Sequence, residues 1–169
     1  MKLTLVMAVT ADGKIARDST EFVDWTGKAD KQYFVKVTKA AGVMIMGSKT
    51  FDTIGNVLPD RKNVVITTDQ SRVSNHKELV YTDQSPVEIL QGLKDEGYTS
   101  ATLIGGSIIN TLFMEQGLVD EVHLTVVPRL FGRGLSLFKR DLDVKMELLD
   151  VSTLEKDCLL LKYRIVHPE

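Results

Sequence analysis

The chain has 169 residues, 21 Lys and Arg against 23 Asp and Glu for a net charge of −2, and one cysteine. That length can bury one sizeable core without disulfides or metals, and a near-balanced charge free of like-charge blocks gives no footing for nucleic acid or an anionic membrane. The lone thiol, Cys158, excludes an internal disulfide and a thiolate zinc cluster and fits a reducing, cytoplasmic setting.

Leu3 to Val9 is the first strand-like run; it lacks the cationic lead and long apolar stretch of a signal peptide, and no later run approaches the ~20 residues of a membrane helix. A long loop, Ala11 to Lys28, precedes a helical pattern at Ala29 to Lys39. A strand at Val43 to Met46 is followed by a short helix at Lys49 to Ile54, and further strands are expected at Asn63 to Thr67 and Leu79 to Tyr81. Ser85-Pro86 starts a helix running to Asp95, ahead of Gly97. Next come a strand at Ala101 to Ile104, a helix at Ser107 to Gln116 and a strand at Glu121 to Val127. A second long loop, Pro128 to Asp141, contains Gly132 and Gly134. Strands at Lys145 to Val151 and Leu159 to Val166 close the chain.

Strands alternating with helices predict an α/β fold: one domain over 1–169, a mostly parallel twisted sheet of about eight strands with helices on both faces. The connection Ser152 to Asp157 is too short for a crossover helix, so the last two strands must be antiparallel.

Gly105-Gly106-Ser107 follows a strand and opens a helix, which offers free backbone amides to a phosphate, although the same glycines serve a plain tight turn. Gly47-Ser48-Lys49-Thr50 repeats the arrangement. Gly42 precedes Gly47 by five residues, but the lysine comes one position late and a Val-Met-Ile-Met strand intervenes, which rules out a nucleoside-triphosphate loop. Asp30 lies in the first turn of a helix bearing Phe34 and Val37, five residues after Trp25. It is either an ordinary helix-start acid or a carboxylate desolvated enough to bind a protonated heterocycle. Thr125 is a hydroxyl in an apolar strand, and Arg61, in Leu58-Pro59-Asp60-Arg61-Lys62, is a turn charge or a bidentate carboxylate partner. The histidines 76, 123 and 167 have no metal-ligand spacing, and no metal site is expected.

Jointly, the run from Trp25 through Asp30 to Phe34, Val43-Met-Ile-Met-Gly47-Ser-Lys-Thr50, and Leu58-Pro59-Asp-Arg61 through Thr67 resemble dihydrofolate reductase. That resemblance implies a reductase using NADPH on 7,8-dihydrofolate, an antifolate target of one-carbon metabolism acting as a monomer or homodimer. It makes Asp30, Thr125 and Trp25 the catalytic group, with Val6, Ala8, Phe34, Ile54 and Leu58 around the substrate and Arg61 on its carboxylate. Ala8, Ile15, Gly47, Ser48, Lys49, Thr50, Thr67, Thr68, Ile104, Gly105, Gly106, Ser107 and Ile108 would hold the cofactor. Thr10-Ala-Asp12-Gly13-Lys-Ile15, and Gly105-Gly-Ser-Ile-Ile through Pro128 to Gly134, look instead like the reductase domain of riboflavin biosynthesis, which takes an aminopyrimidine carrying a ribose phosphate. Asp30 with Arg61 tips the expectation toward folate, ahead of the aminopyrimidine and of a non-catalytic nucleotide-binding module.

Overall fold

The computed structural model describes residues 1–167. Ten strands and four helices follow one another as β1 (Lys2–Thr10), β2 (Lys14–Ala16), α1 (Lys28–Ala41), β3 (Val43–Gly47), α2 (Ser48–Ile54), β4 (Lys62–Ile66), β5 (Leu79–Thr82), α3 (Pro86–Asp95), β6 (Ser100–Leu103), α4 (Ser107–Glu115), β7 (Glu121–Val127), β8 (Leu135–Ser136), β9 (Met146–Glu155) and β10 (Cys158–Ile165). Among these residues no helix is long and apolar enough to cross a membrane.

Eight strands form one sheet in the order β5-β4-β3-β6-β1-β7-β10-β9. Only β10 runs against its neighbours, pairing antiparallel with both β7 and β9. The central strands are apolar on both faces because helices cover both. Leu3, Leu5, Val43, Ile45 and Leu103 pack on one side against Ile89 and Leu93 of α3 and Ile109 and Phe113 of α4. On the other, Met44, Met46, Val65 and Ile104 meet Phe34 of α1 and Phe51 and Ile54 of α2.

Two expectations need correction. The segment Ser152 to Asp157 is not a connection, since β9 continues to Glu155 and only Lys156 and Asp157 turn the chain. Nor are the two long loops without regular structure: β2 lies within the first, β8 within the second, and they pair antiparallel.

The turn Leu58–Arg61 owes its shape to one residue. Asn63 is fully buried; its amide donates to the carbonyls of Leu58 (2.9 Å) and Arg61 (2.8 Å), and its Oδ1 accepts from the Leu58 amide at 3.1 Å. Asp60 within that turn has a φ of 64°, which such bracketing must hold in place. Replacing Asn63 by Leu strands three backbone groups, so Asn63→Leu should lose roughly 2–4 kcal/mol of stability in chemical denaturation; an unchanged midpoint would refute the bracket.

Candidate functional site

The strands β3 and β6 are parallel neighbours, yet α2 leaves β3 toward one face of the sheet while α4 leaves β6 toward the other. Diverging helices open a crevice at the carboxyl ends of the strands, the place where α/β sheets bind ligands. A cleft of about 1110 Å³ lies there, lined by Gly47, Ser48, Lys49 and Thr50 at the start of α2, Gly106, Ser107 and Ile108 at the start of α4, and Thr67 and Thr68 after β4.

Neither α2 nor α4 has a side chain capping its first turn, whereas α3 has a full capping box from Ser85 and Glu88. The amides at the start of α4 are therefore free for an anion, with the helix dipole adding to their pull. The turn that carries them needs glycine: Gly105 has a φ of 99°, a Cβ there would sit 3.2 Å from the Met7 sulfur, and its carbonyl accepts from the Gly47 amide at 2.8 Å. The Gly105–Gly106 peptide is cis.

The far wall of the cleft comes from the two long loops. Ile15 and Ala16 of β2 and Gly134 and Leu135 of the β8 region line it. Their joint is tight, since a Cβ on Gly134 would fall 2.5 Å from the Ala16 carbonyl oxygen. Asp12 locks the same loops together: its carboxylate accepts from the Thr10 hydroxyl (2.5 Å) and from the amides of Phe131 (3.2 Å) and Gly132 (2.7 Å). The Thr10 hydroxyl above all, with the Gly132 and Phe131 amides, and against an opposing effect of desolvation, holds the Asp12 carboxyl down at about 2. Phe131 in turn lies edge-on to Trp25 with ring centroids 5.1 Å apart, and the Arg17 guanidinium sits 4.2 Å above its ring.

Of the residues singled out in the sequence, Ile15, Gly47, Ser48, Lys49, Thr50, Thr67, Thr68, Ile104, Gly106, Ser107 and Ile108 meet at this cleft. Gly105 supports it from behind, and Met7 rather than Ala8 is the β1 residue exposed to it. A second group gathers between α1 and the sheet. Thr125 on β7 is buried and stands opposite Ala8 of β1 and Leu160 of β10. Val6, also buried, precedes Ala8 on the same face of β1. Asp30, in the first turn of α1, lies close enough to Cys158 of β10 that, after burial and Glu155, its charge helps push that thiol's pKa up. Trp25 closes the region with Val127 and Cys158, and its buried Nε1 has no hydrogen-bond partner among the described residues.

Phe34, Ile54 and Leu58 are half-buried against Met44, Met46 and Ile104. Arg61 is neither solvated nor in the cleft: it is 4% exposed, its Nε donates to the Pro59 carbonyl at 3.0 Å, and its guanidinium reaches the Thr38 hydroxyl on α1. Sequence reasoning missed Met7, Arg17, Ile66, Gln84, Leu135 and Lys139, all of which line the cleft. Ile66 and Gln84 could have been found by their place after parallel strands; Leu135 could not, because a two-residue strand has no period to read.

The model of the RibD C-terminal domain family matches residues 1–160. Bacillus subtilis dihydrofolate reductase is 38% identical over 129 residues, 76% of this chain and 71% of its own. A protein of Shewanella sp. PV-4, provisionally named for riboflavin biosynthesis, superposes with a TM-score of 0.86 at 19% identity, covering 99% of this chain and all of its own. Dihydrofolate reductase of Enterococcus faecalis, solved in complex with NADP(H) and RAB-propyl, gives a TM-score of 0.76 at 17% identity, covering 97% and 96% of the two chains. These two solved structures speak for the fold.

The Asp12 lock carries a pH dependence. A carboxylate held below its unfolded value near 3.9 adds stability above that pH and loses it as pH falls through about 2. Thermal melting of the wild type and Asp12→Asn should therefore differ at pH 6, with the wild type higher, and converge between pH 4 and pH 2. Parallel curves throughout would show that the lock contributes nothing.

Proposed function

The chain belongs to the RibD C-terminal domain family, and on that premise we propose that it is an NADPH-dependent reductase of a small nitrogen heterocycle, with an aminopyrimidine carrying a ribose phosphate as the substrate class. The observation that carries the reading is the crevice between β3 and β6, with the uncapped start of α4 at its floor. The turn that presents the start of α4 depends on Gly105, whose φ of 99° and 3.2 Å approach to the Met7 sulfur leave no room for a side chain, and the amides that follow it suit a pyrophosphate.

Gly106 and Ser107 would hold the pyrophosphate, Lys49, Thr50, Thr67 and Thr68 the adenosine side, and Met7, Ile15 and Ala16 the nicotinamide side. Bound NADPH supplies the hydride. The protein does the rest with its own groups. Asp30 grips ring and amino nitrogens of the heterocycle and favours its protonated form, and Thr125 completes that grip. Trp25, packed on Phe131, keeps water from the wall beside them.

Two observations support the aminopyrimidine. Arg61, the residue on which a folate carboxylate would depend, spends Nε and one amino group on Pro59 and Thr38 inside the fold. Arg17 and Lys139 line the cleft and suit a substrate that ends in phosphate. Dihydrofolate is the second reading, favoured by the 38% identity to the Bacillus subtilis enzyme.

The deciding assay follows NADPH oxidation by purified protein with 5-amino-6-ribosylaminouracil phosphate and, separately, with 7,8-dihydrofolate. Saturable turnover of the pyrimidine alone supports the reading, turnover of dihydrofolate alone transfers it to the folate enzyme, and NADPH binding with turnover of neither removes both. In the active pairing, Asp30→Asn should lower kcat roughly 10²- to 10⁴-fold, the span of general acid–base contributions, while NADPH still binds. Unchanged turnover would remove Asp30 from the site.

A further inference from the structure

Helix α1 carries Asp30, yet Thr38 is its one fully buried side chain. A helix with so little apolar anchorage depends on polar ties. At its start the Glu155 carboxylate accepts from the Ala29 amide at 3.0 Å. At its end Thr38 meets Arg61, and Lys39 pairs with Asp60 at 2.6 Å. Between them, the Tyr33 hydroxyl lies 2.8 Å from His123 Nδ1 on β7.

That middle tie joins the two elements that would form the substrate grip. Tyr33 follows Asp30 by three positions, so both leave the same side of α1. His123 precedes Thr125 by two, so both leave the same face of β7. The ladder continues the pattern, with Val6 opposite His123 and Ala8 opposite Thr125. Tyr33 and His123 thus form a rung beside the one on which Asp30 and Thr125 would act.

We propose that the Tyr33–His123 hydrogen bond sets the position of α1 on the sheet and thereby of Asp30 against Thr125, which makes Tyr33 and His123 positioning residues for the substrate side. This rests on the role given to Asp30 above. The tie is built to persist. Tyr33 donates to Nδ1, which leaves Nε2 to donate to Glu121 Oε2 at 3.2 Å, and Lys2 holds Glu121 at 2.7 Å. His123 is 8% exposed, and that burial pushes the imidazole pKa down and so keeps the Nδ1 lone pair available. Lys162, opposite His123 on β10 and paired with Asp150 of β9, reinforces the neutral form. Burial, with the charges of Glu121 and Asp150, pushes the Tyr33 hydroxyl up to about 12, so it remains a donor.

Three variants test this: Tyr33→Phe, which removes the hydroxyl and keeps the ring; His123→Leu, which removes the acceptor; and His123→Asn, whose side-chain carbonyl can stand where Nδ1 does. Each is assayed with NADPH and whichever of the two heterocycles the wild type turns over, alongside amide hydrogen exchange of α1. Tyr33→Phe and His123→Leu should raise the heterocycle KM roughly three- to tenfold, the span of one hydrogen bond, with the NADPH KM unchanged and α1 amides exchanging faster. His123→Asn should restore both. A wild-type heterocycle KM in Tyr33→Phe, or equal losses toward both substrates, overturns the proposal. A wild type that oxidises NADPH with neither heterocycle overturns the catalytic reading instead, and α1 exchange in Tyr33→Phe then decides positioning by itself: faster exchange upholds it, unchanged exchange refutes it.

Discussion

The molecule is organised around the divergence of α2 and α4 from neighbouring parallel strands. Once β3 and β6 lie side by side and their helices leave on opposite faces, a gap opens between the strand ends, and residues of both helices line it. The crevice is a consequence of topology, and the glycine turn at 105–106 only refines it. The Gly105 carbonyl, bound to the Gly47 amide, ties the two strand ends so that both helix starts face one space. An anion that bridges this space meets backbone donors whose positions the sheet fixes, which lowers the ordering cost of binding.

A second constraint comes from the loops. Ala11 to Lys28 and Pro128 to Asp141 are far apart in sequence, and each alone is too long to be ordered cheaply. They order each other. The β2–β8 pairing, the Asp12 carboxylate on the Phe131 and Gly132 amides, and the stack of Arg17, Phe131 and Trp25 form one joint. That joint supplies the cleft wall on one side and closes the α1 region on the other through Trp25, so the two regions share a structural element.

Most of the fold was legible in the chain, for reasons that separate cleanly. The strand Glu121–Val127 and the helix Pro86–Asp95 agree end to end with expectation, the first because its apolar run is buried by neighbours on both sides, the second because Ser85, Pro86 and Glu88 encode its start locally. The tail of β9 was misread because this edge strand is exposed along most of its length and its polar residues, Ser152, Thr153 and Glu155, look like a turn. β2 and β8 are three and two residues long, too short for any period.

The candidate site divides in the same way. The cleft lining was readable because helix starts and glycine turns are local features, each written within four or five consecutive residues. The region between α1 and the sheet was not, because what decides the behaviour of Arg61, Tyr33 and His123 lies far along the chain: Thr38 stands 23 positions from Arg61, and 90 positions separate Tyr33 from His123. Arg61 looked like a solvated or ligand-facing charge until Thr38 and Pro59 occupied it, and His123 looked idle until α1 came down on it. The shape of the cleft is therefore fixed by backbone geometry, which varies little with side chains, whereas the flank beside it depends on polar ties between α1, β7 and the turn at Leu58–Arg61. A cleft set by the backbone and a flank set by distant side-chain contacts can vary separately, which accords with a chain 38% identical to a dihydrofolate reductase over 129 residues and matched over residues 1–160 by the model of the RibD C-terminal domain family.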